Sequence, residues 1–126
     1  MADSEKRKFI REEVFNKVLI NGEAFGYISD ISLGGIKISV MKFEPTQFND
    51  KIKIKILSRQ AIGENIELAC VVRWKREEGM FLGYGLEFDG PENNQMKLIN
   101  KYIDYIKSVE AEENEIVVEL TEINET

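Results

Sequence analysis

The chain has 126 residues, 43% hydrophobic and 32% charged, which supports one domain with one core. It has no histidine and a single cysteine, Cys70, so an internal disulfide and a Cys/His metal site are excluded and the commonest general base is missing. The formal net charge of −6 belongs to one end: seven glutamates and no Lys or Arg fall between Glu110 and Thr126, leaving 16 acids against 17 bases before them. The body is therefore near neutral, and an anionic ligand is not excluded.

Residues 1–11 are polar, charged and aperiodic, and read as a mobile basic arm. The segments Val14–Ile20 and Glu23–Ser29 flank Asn21-Gly22, a strong hairpin signal. A two-residue turn there sets Ile20 opposite Glu23 and Val14 opposite Ser29. Carried past the strand ends, it sets Glu13 opposite Asp30 and Arg11 opposite Ser32. Period-two patterns follow over Gly35–Met41, Lys51–Leu57, Ile66–Lys75 and Met80–Phe88, separated by the turn-rich joints Phe43–Asp50, Ser58–Asn65 and Arg76–Gly79. Six short strands of this kind predict a small antiparallel β-barrel, an all-β dominated fold. After Pro91 the period changes: Met96, Ile99, Tyr102, Ile103, Ile106 and Val109 recur at spacings of three and four, predicting a C-terminal amphipathic helix over one end or face of the barrel. Beyond it, Ile116–Leu120 reads as a short strand-like run within an acidic tail, residues 110–126. The expected organisation is an arm (1–11), a barrel with its helix (12–109) and the tail.

The hairpin brings the basic arm up to the loop Asp30-Ile31-Ser32-Leu33-Gly34-Gly35. Two arginines, Arg7 and Arg11, offer planar forks for phosphate oxygens or the O6/N7 edge of guanine. The opposite guanine edge presents donors, which Asp30 and the Ser32 hydroxyl can accept. Gly34 and Gly35 allow close backbone approach to a flat ligand. A guanine with a phosphate attached satisfies the whole set.

Arg7-Lys8-Phe9-Ile10-Arg11 resembles the RxxxR motif of the bacterial PilZ family, and Asp30-Ile31-Ser32-Leu33-Gly34-Gly35 resembles its (D/N)xSxxG motif. Val71-Val72-Arg73-Trp74 and Gly85-Leu86-Glu87-Phe88 are similar to the family's closing strands, so the resemblance covers about residues 6–109. It implies a six-stranded antiparallel PilZ-type barrel with a C-terminal helix that binds cyclic di-GMP, as one nucleotide or a stacked pair. By motif position Arg7 and Arg11 would grip guanine and phosphate, Asp30 and Ser32 would contact the guanine edge, and Gly35 would keep the loop tight. Many members carry a further Arg just before the motif, where this chain has Lys6, a position tied to nucleotide number. The resemblance implies a non-enzymatic receptor whose arm orders on the nucleotide and signals to an effector protein of a motility, pilus, polysaccharide or transcription system. The alternative is a PilZ-like interaction adaptor without nucleotide binding.

Against these stand plainer readings. Lys51, Lys53 and Lys55 form either a phosphate-binding stripe or the wet face of a strand, where edge lysines would also discourage sheet-to-sheet aggregation, and the pattern favours the wet face. Trp74 falls in phase with Cys70 and Val72 and is assigned to the core, with base stacking as its alternative. Cys70 is inert packing. The acidic tail is a solvated extension, a partner-binding peptide around Ile116–Leu120, or a self-inhibitory segment lying on Arg7 and Arg11. A single-stranded nucleic acid binder would want a basic groove with exposed aromatics, and most aromatics here follow the core pattern. No Walker-type loop, GxSxG elbow or placed carboxylate pair marks an enzyme. No run approaches a membrane span, and the first residues lack a secretory signal's apolar stretch, so the cytoplasm is the expected compartment.

Overall fold

The structure, a computed structural model, describes residues 17–42 and 48–125, with side chains described through Ala111. The arm with Lys6, Arg7 and Arg11, the expected start of the first strand at Val14, and Phe43–Gln47 of the joint Phe43–Asp50 lie outside the described residues.

Six antiparallel strands close into a barrel: β1 (Lys17–Ile20), β2 (Ala24–Ile31), β3 (Gly35–Met41), β4 (Lys51–Ile56), β5 (Ile66–Glu78) and β6 (Phe81–Phe88), in the order β1-β2-β3-β6-β5-β4. A one-turn helix α1 (Arg59–Ile62) joins β4 to β5, and α2 (Asn93–Glu125) follows β6. Alternation places every second residue inside. Ile20, Ile38, Val40, Ile54, Ile56 and Ile66 pack a core with almost no exposure, closed by Ile99 and Tyr102 of α2. Burial pushes the Tyr102 phenol above its usual range.

The first hairpin corrects the expected register. Ile20 pairs with Ala24 and Val18 with Gly26, one residue away from the two-residue-turn pairing. The reason is period two: Val18, Ile20, Ala24 and Ile28 are all buried and must share a face, whereas Ile20 opposite Glu23 would put a charge beside the core. Asn21 and Gly22 adopt positive φ values of 51° and 72°, and Glu23 becomes the extra residue of the turn. The predicted oppositions of Arg11 to Ser32 and of Glu13 to Asp30 fall outside the described residues.

The barrel end holding the end of β2, the starts of β3 and β5 and the end of β4 is the covered one. Gln95 accepts the Glu92 N–H through Oε1 (2.7 Å), a reach-back cap for α2, and donates to the Glu67 carbonyl of β5 (2.6 Å). Lys101 donates to the Ile62 carbonyl (3.3 Å), tying α2 to the end of α1. Buried Ser58 donates to the Ile56 and Glu64 carbonyls, so its hydroxyl is satisfied.

Three further expectations change. Residues Ile116–Leu120 are helical, because α2 runs on to Glu125. A closed barrel leaves no edge for another strand, and a glutamate-rich stretch favours helix. The lysines of β4 do face outward, but β4 is paired with β1 and with β5 and is no edge strand. Trp74 is not in the core but 37% exposed. No helix among the described residues is long and apolar enough to cross a membrane.

Candidate ligand-binding site

Two register shifts build the site. In β2–β3, Ile28 pairs with Ile38 but Asp30, not Ser29, pairs with Lys37; in β5–β6, Val72 pairs with Leu86 but Trp74, not Arg73, pairs with Gly85. Ser29 and Arg73 are thus inserted residues. Each insertion reverses the in–out alternation behind it, which is what β-bulges do next to functional clefts. Asp30 has the parity of the buried Ile28, and a regular strand would aim its carboxylate at the core. The bulge turns it outward beside Lys37. Trp74 has the parity of Cys70, and its bulge turns the indole onto the outer face of β6. The seat there is Gly85, where any Cβ would overlap the indole.

Both reversals open onto one cleft of about 360 Å³, lined across four adjacent strands by Asp30, Ile31, Ser32, Gly35, Lys37, Arg73, Trp74 and Gly85, together with the buried Ile36 and Leu86. Its loop is tight. Ser32 N–H donates to the Gly35 carbonyl (2.9 Å), and the Ser32 hydroxyl lies 3.4 Å from both the Gly35 carbonyl and the Gly34 N–H. Asp30 Oδ1 accepts from the Ile31 N–H (3.0 Å). The Gly34 carbonyl accepts from Phe88 N–H (3.1 Å), pinning the loop to β6. Gly35 runs so close to the Leu86 carbonyl that a Cβ there would clash with backbone.

The cleft is basic and aromatic. Lys37 and Arg76 hold their cations 5.6 and 5.2 Å from the Trp74 ring centre. Arg73 pairs with Glu87, and Lys37 with Glu78 at 3.7 Å. These groups offer a flat π surface for a planar ring and cations for an anion, with the Asp30 and Ser32 oxygens as acceptors in the same cleft. Among the described residues no cluster of His, Cys, Asp or Glu suits a metal ion.

Of the residues picked out in the sequence, Asp30, Ser32 and Gly35 line this cleft, while Gly34 acts through its backbone; Lys6, Arg7 and Arg11 lie outside the described residues. Trp74 as a base-stacking ring and Arg73 as a phosphate contact were only the less favoured readings of those residues, and Lys37 was not singled out for the site. The available signal was an acid, Asp30, standing where the alternation demands an apolar residue, and a glycine, Gly85, facing the tryptophan.

A family model described as the PilZ domain matches residues 5–105. No curated protein matches the chain. Among solved structures, it is similar to that of Bacillus subtilis Inhibitor of motility (MotI/DgrA), with a TM-score of 0.56 and 20% sequence identity over 75% of this chain and 47% of that one. The chain thus spans about half the length of that protein, and the likeness is one of fold.

Proposed function

This chain belongs to the PilZ domain family, and from that premise we propose that it is a cyclic di-GMP receptor that takes the nucleotide in the Asp30–Trp74 cleft and relays binding to a partner protein. One observation carries the reading: the acceptors Asp30 and Ser32, the tight turn at Gly35 and an exposed indole flanked by cations share a single cleft. Trp74 stacks on a guanine, worth about 1–3 kcal/mol for a base on an aromatic ring. Asp30 and Ser32 accept from the guanine N1 and N2 hydrogens. Arg7 and Arg11, on the arm that precedes β1, close over the nucleotide and bind its phosphates and the O6/N7 edge, an ordering switch.

The position of the same loop favours the relay. Asp30 and Ile31 also line a second cleft of about 180 Å³ against Ile103, Ile106 and Lys107 of α2. A ligand that shifts the loop therefore bears on the seating of the helix. The output belongs to the classes the family serves, of which the inhibition of motility named for the similar structure is one. The chain acts in the cytoplasm, in keeping with its single reduced thiol.

One observation favours a second reading, an adaptor without nucleotide: the Asp30 and Ser32 side chains already bond within their own loop. Titration calorimetry with cyclic di-GMP decides between them. Saturable heat, with a stoichiometry of one or two nucleotides per chain, is the expected result. A flat titration leaves the adaptor.

A further inference from the structure

The side of the barrel away from the nucleotide cleft is also unusual. Its outer face runs in cross-strand rows: Phe25–Leu19–Lys55–Glu67, then Lys53–Ala69, then Lys51–Val71. Phe25 is 52% exposed. A groove of about 580 Å³ crosses this face between Leu19, Asn21, Lys53, Lys55, Ala69 and Gln95. Lys55 pairs with Glu67 at 3.4 Å, whereas Lys51 and Lys53 have no ion pair among the described residues. Because β4 is bonded on both sides, these lysines are not needed to blunt an exposed edge.

The same chain carries the complement. Helix α2 continues to Glu125, and in the sequence of its last stretch Ile116, Leu120 and Ile123 recur at helical spacing, as do Glu112, Glu115, Glu119 and Glu122. That stretch contains no Lys or Arg. Residues 112–125 span roughly 21 Å at 1.5 Å per residue, and β4 spans roughly 20 Å at 3.3 Å per residue. The apolar residues of the stretch can lie toward Leu19 and Phe25, on the β1 side of β4, while the glutamates meet the lysines.

The stretch cannot serve its own barrel. Gln95, near the start of α2, is anchored to β5 beside the groove, and by Ile106 and Lys107 the helix has crossed to β2. A continuous helix therefore carries residues 112–125 away from the lysine face. Pairing of two such stretches with each other would set glutamates against glutamates. We propose that the lysine face of β4 is a docking site for residues 112–125 of a second copy of this chain, a reciprocal exchange that is independent of nucleotide binding.

Charge reversal on the full-length chain tests this by sedimentation velocity at low and high salt, without nucleotide. The wild type self-associates at low salt and comes apart at high salt. Lys51→Glu/Lys53→Glu and Glu115→Lys/Glu119→Lys each weaken association at least tenfold. An equimolar mixture of the two variants restores it, since each face then meets an opposite tail. All four positions lie on exposed strand positions or the distal helix, and far-ultraviolet circular dichroism verifies that both variants fold; Lys51→Gln/Lys53→Gln substitutes if the reversal does not. A monomeric wild type at low salt, association untouched by the lysine changes (tail pairing with tail), or a mixture that stays monomeric each overturns the proposal.

Discussion

The two sides of this barrel are made from the same kind of alternating strand, yet around β1 and β4 the ladders run without a register shift, while β2–β3 and β5–β6 each carry one. On the regular side, alternation does one thing: isoleucines go in and lysines go out. On the interrupted side, Ser29 and Arg73 let residues of inward parity, Asp30 and Trp74, come out beside Lys37 and Gly85. A uniform strand can only sort residues by polarity. An inserted residue breaks that sorting locally and frees an acid and an indole to face one cleft while the core stays closed.

The comparison predicts that the two sides share one core and differ in ligand binding. Ile38→Ala on the interrupted side and Ile54→Ala on the regular side each remove a buried side chain. Both should destabilise the fold by about 3 kcal/mol in urea unfolding, with nucleotide affinity of the folded protein unchanged. A markedly smaller cost at Ile38 would mean the interrupted side is loosely packed. Next in size, Arg7→Ala or Arg11→Ala should weaken cyclic di-GMP binding by about 2 kcal/mol or more, with no change in unfolding midpoint. Unchanged affinity in both variants would remove the arm from the site. Trp74→Ala should cost about 1.5 kcal/mol of binding and little stability, since the ring is part-exposed on the outer face. The reverse pattern, lost stability with intact binding, would return Trp74 to a packing role.

The core side carries the pH dependence. Burial, with Asp89 nearby, pushes the Cys70 thiol up to about 12. The unfolded thiol ionises first as pH rises, so its contribution is complete below the ordinary thiol range and declines above it. About 1.5 kcal/mol should be gone by pH 10, read as a falling urea midpoint, and Cys70→Ala should flatten that decline. Smallest of all, Ser32→Ala should cost under about 1 kcal/mol of affinity, because its hydroxyl already bonds within the loop. A loss as large as that at Arg11 would assign Ser32 a direct and dominant contact.

The barrel was readable because Lys51–Ile56 and Gly35–Met41 alternate without a fault, and α2 because Ile99, Tyr102 and Ile106 recur at helical spacing. The loop half of the candidate cleft was readable as Asp30, Ser32 and Gly35. The other half was not. Strand phase counts residues, and counting through Arg73 puts Trp74 inside. Only pairing against Gly85 shows that one residue has been skipped. The first turn failed for a similar reason, since Asn21-Gly22 fits a two-residue turn and only the burial of Ala24 demands the longer one. The helical end of the chain was missed because β-branched residues suggest a strand, and no sequence pattern reveals that the barrel is already closed.

Trp74 is the only tryptophan in the chain, so its fluorescence reports on the interrupted side alone. Titrated with cyclic di-GMP, it should change and saturate at the ligand ratio found by calorimetry, and the change should vanish when Arg7 and Arg11 are both replaced by alanine. A spectrum that stays constant while calorimetry registers full binding would place the nucleotide elsewhere and contradict the assignment of the cleft.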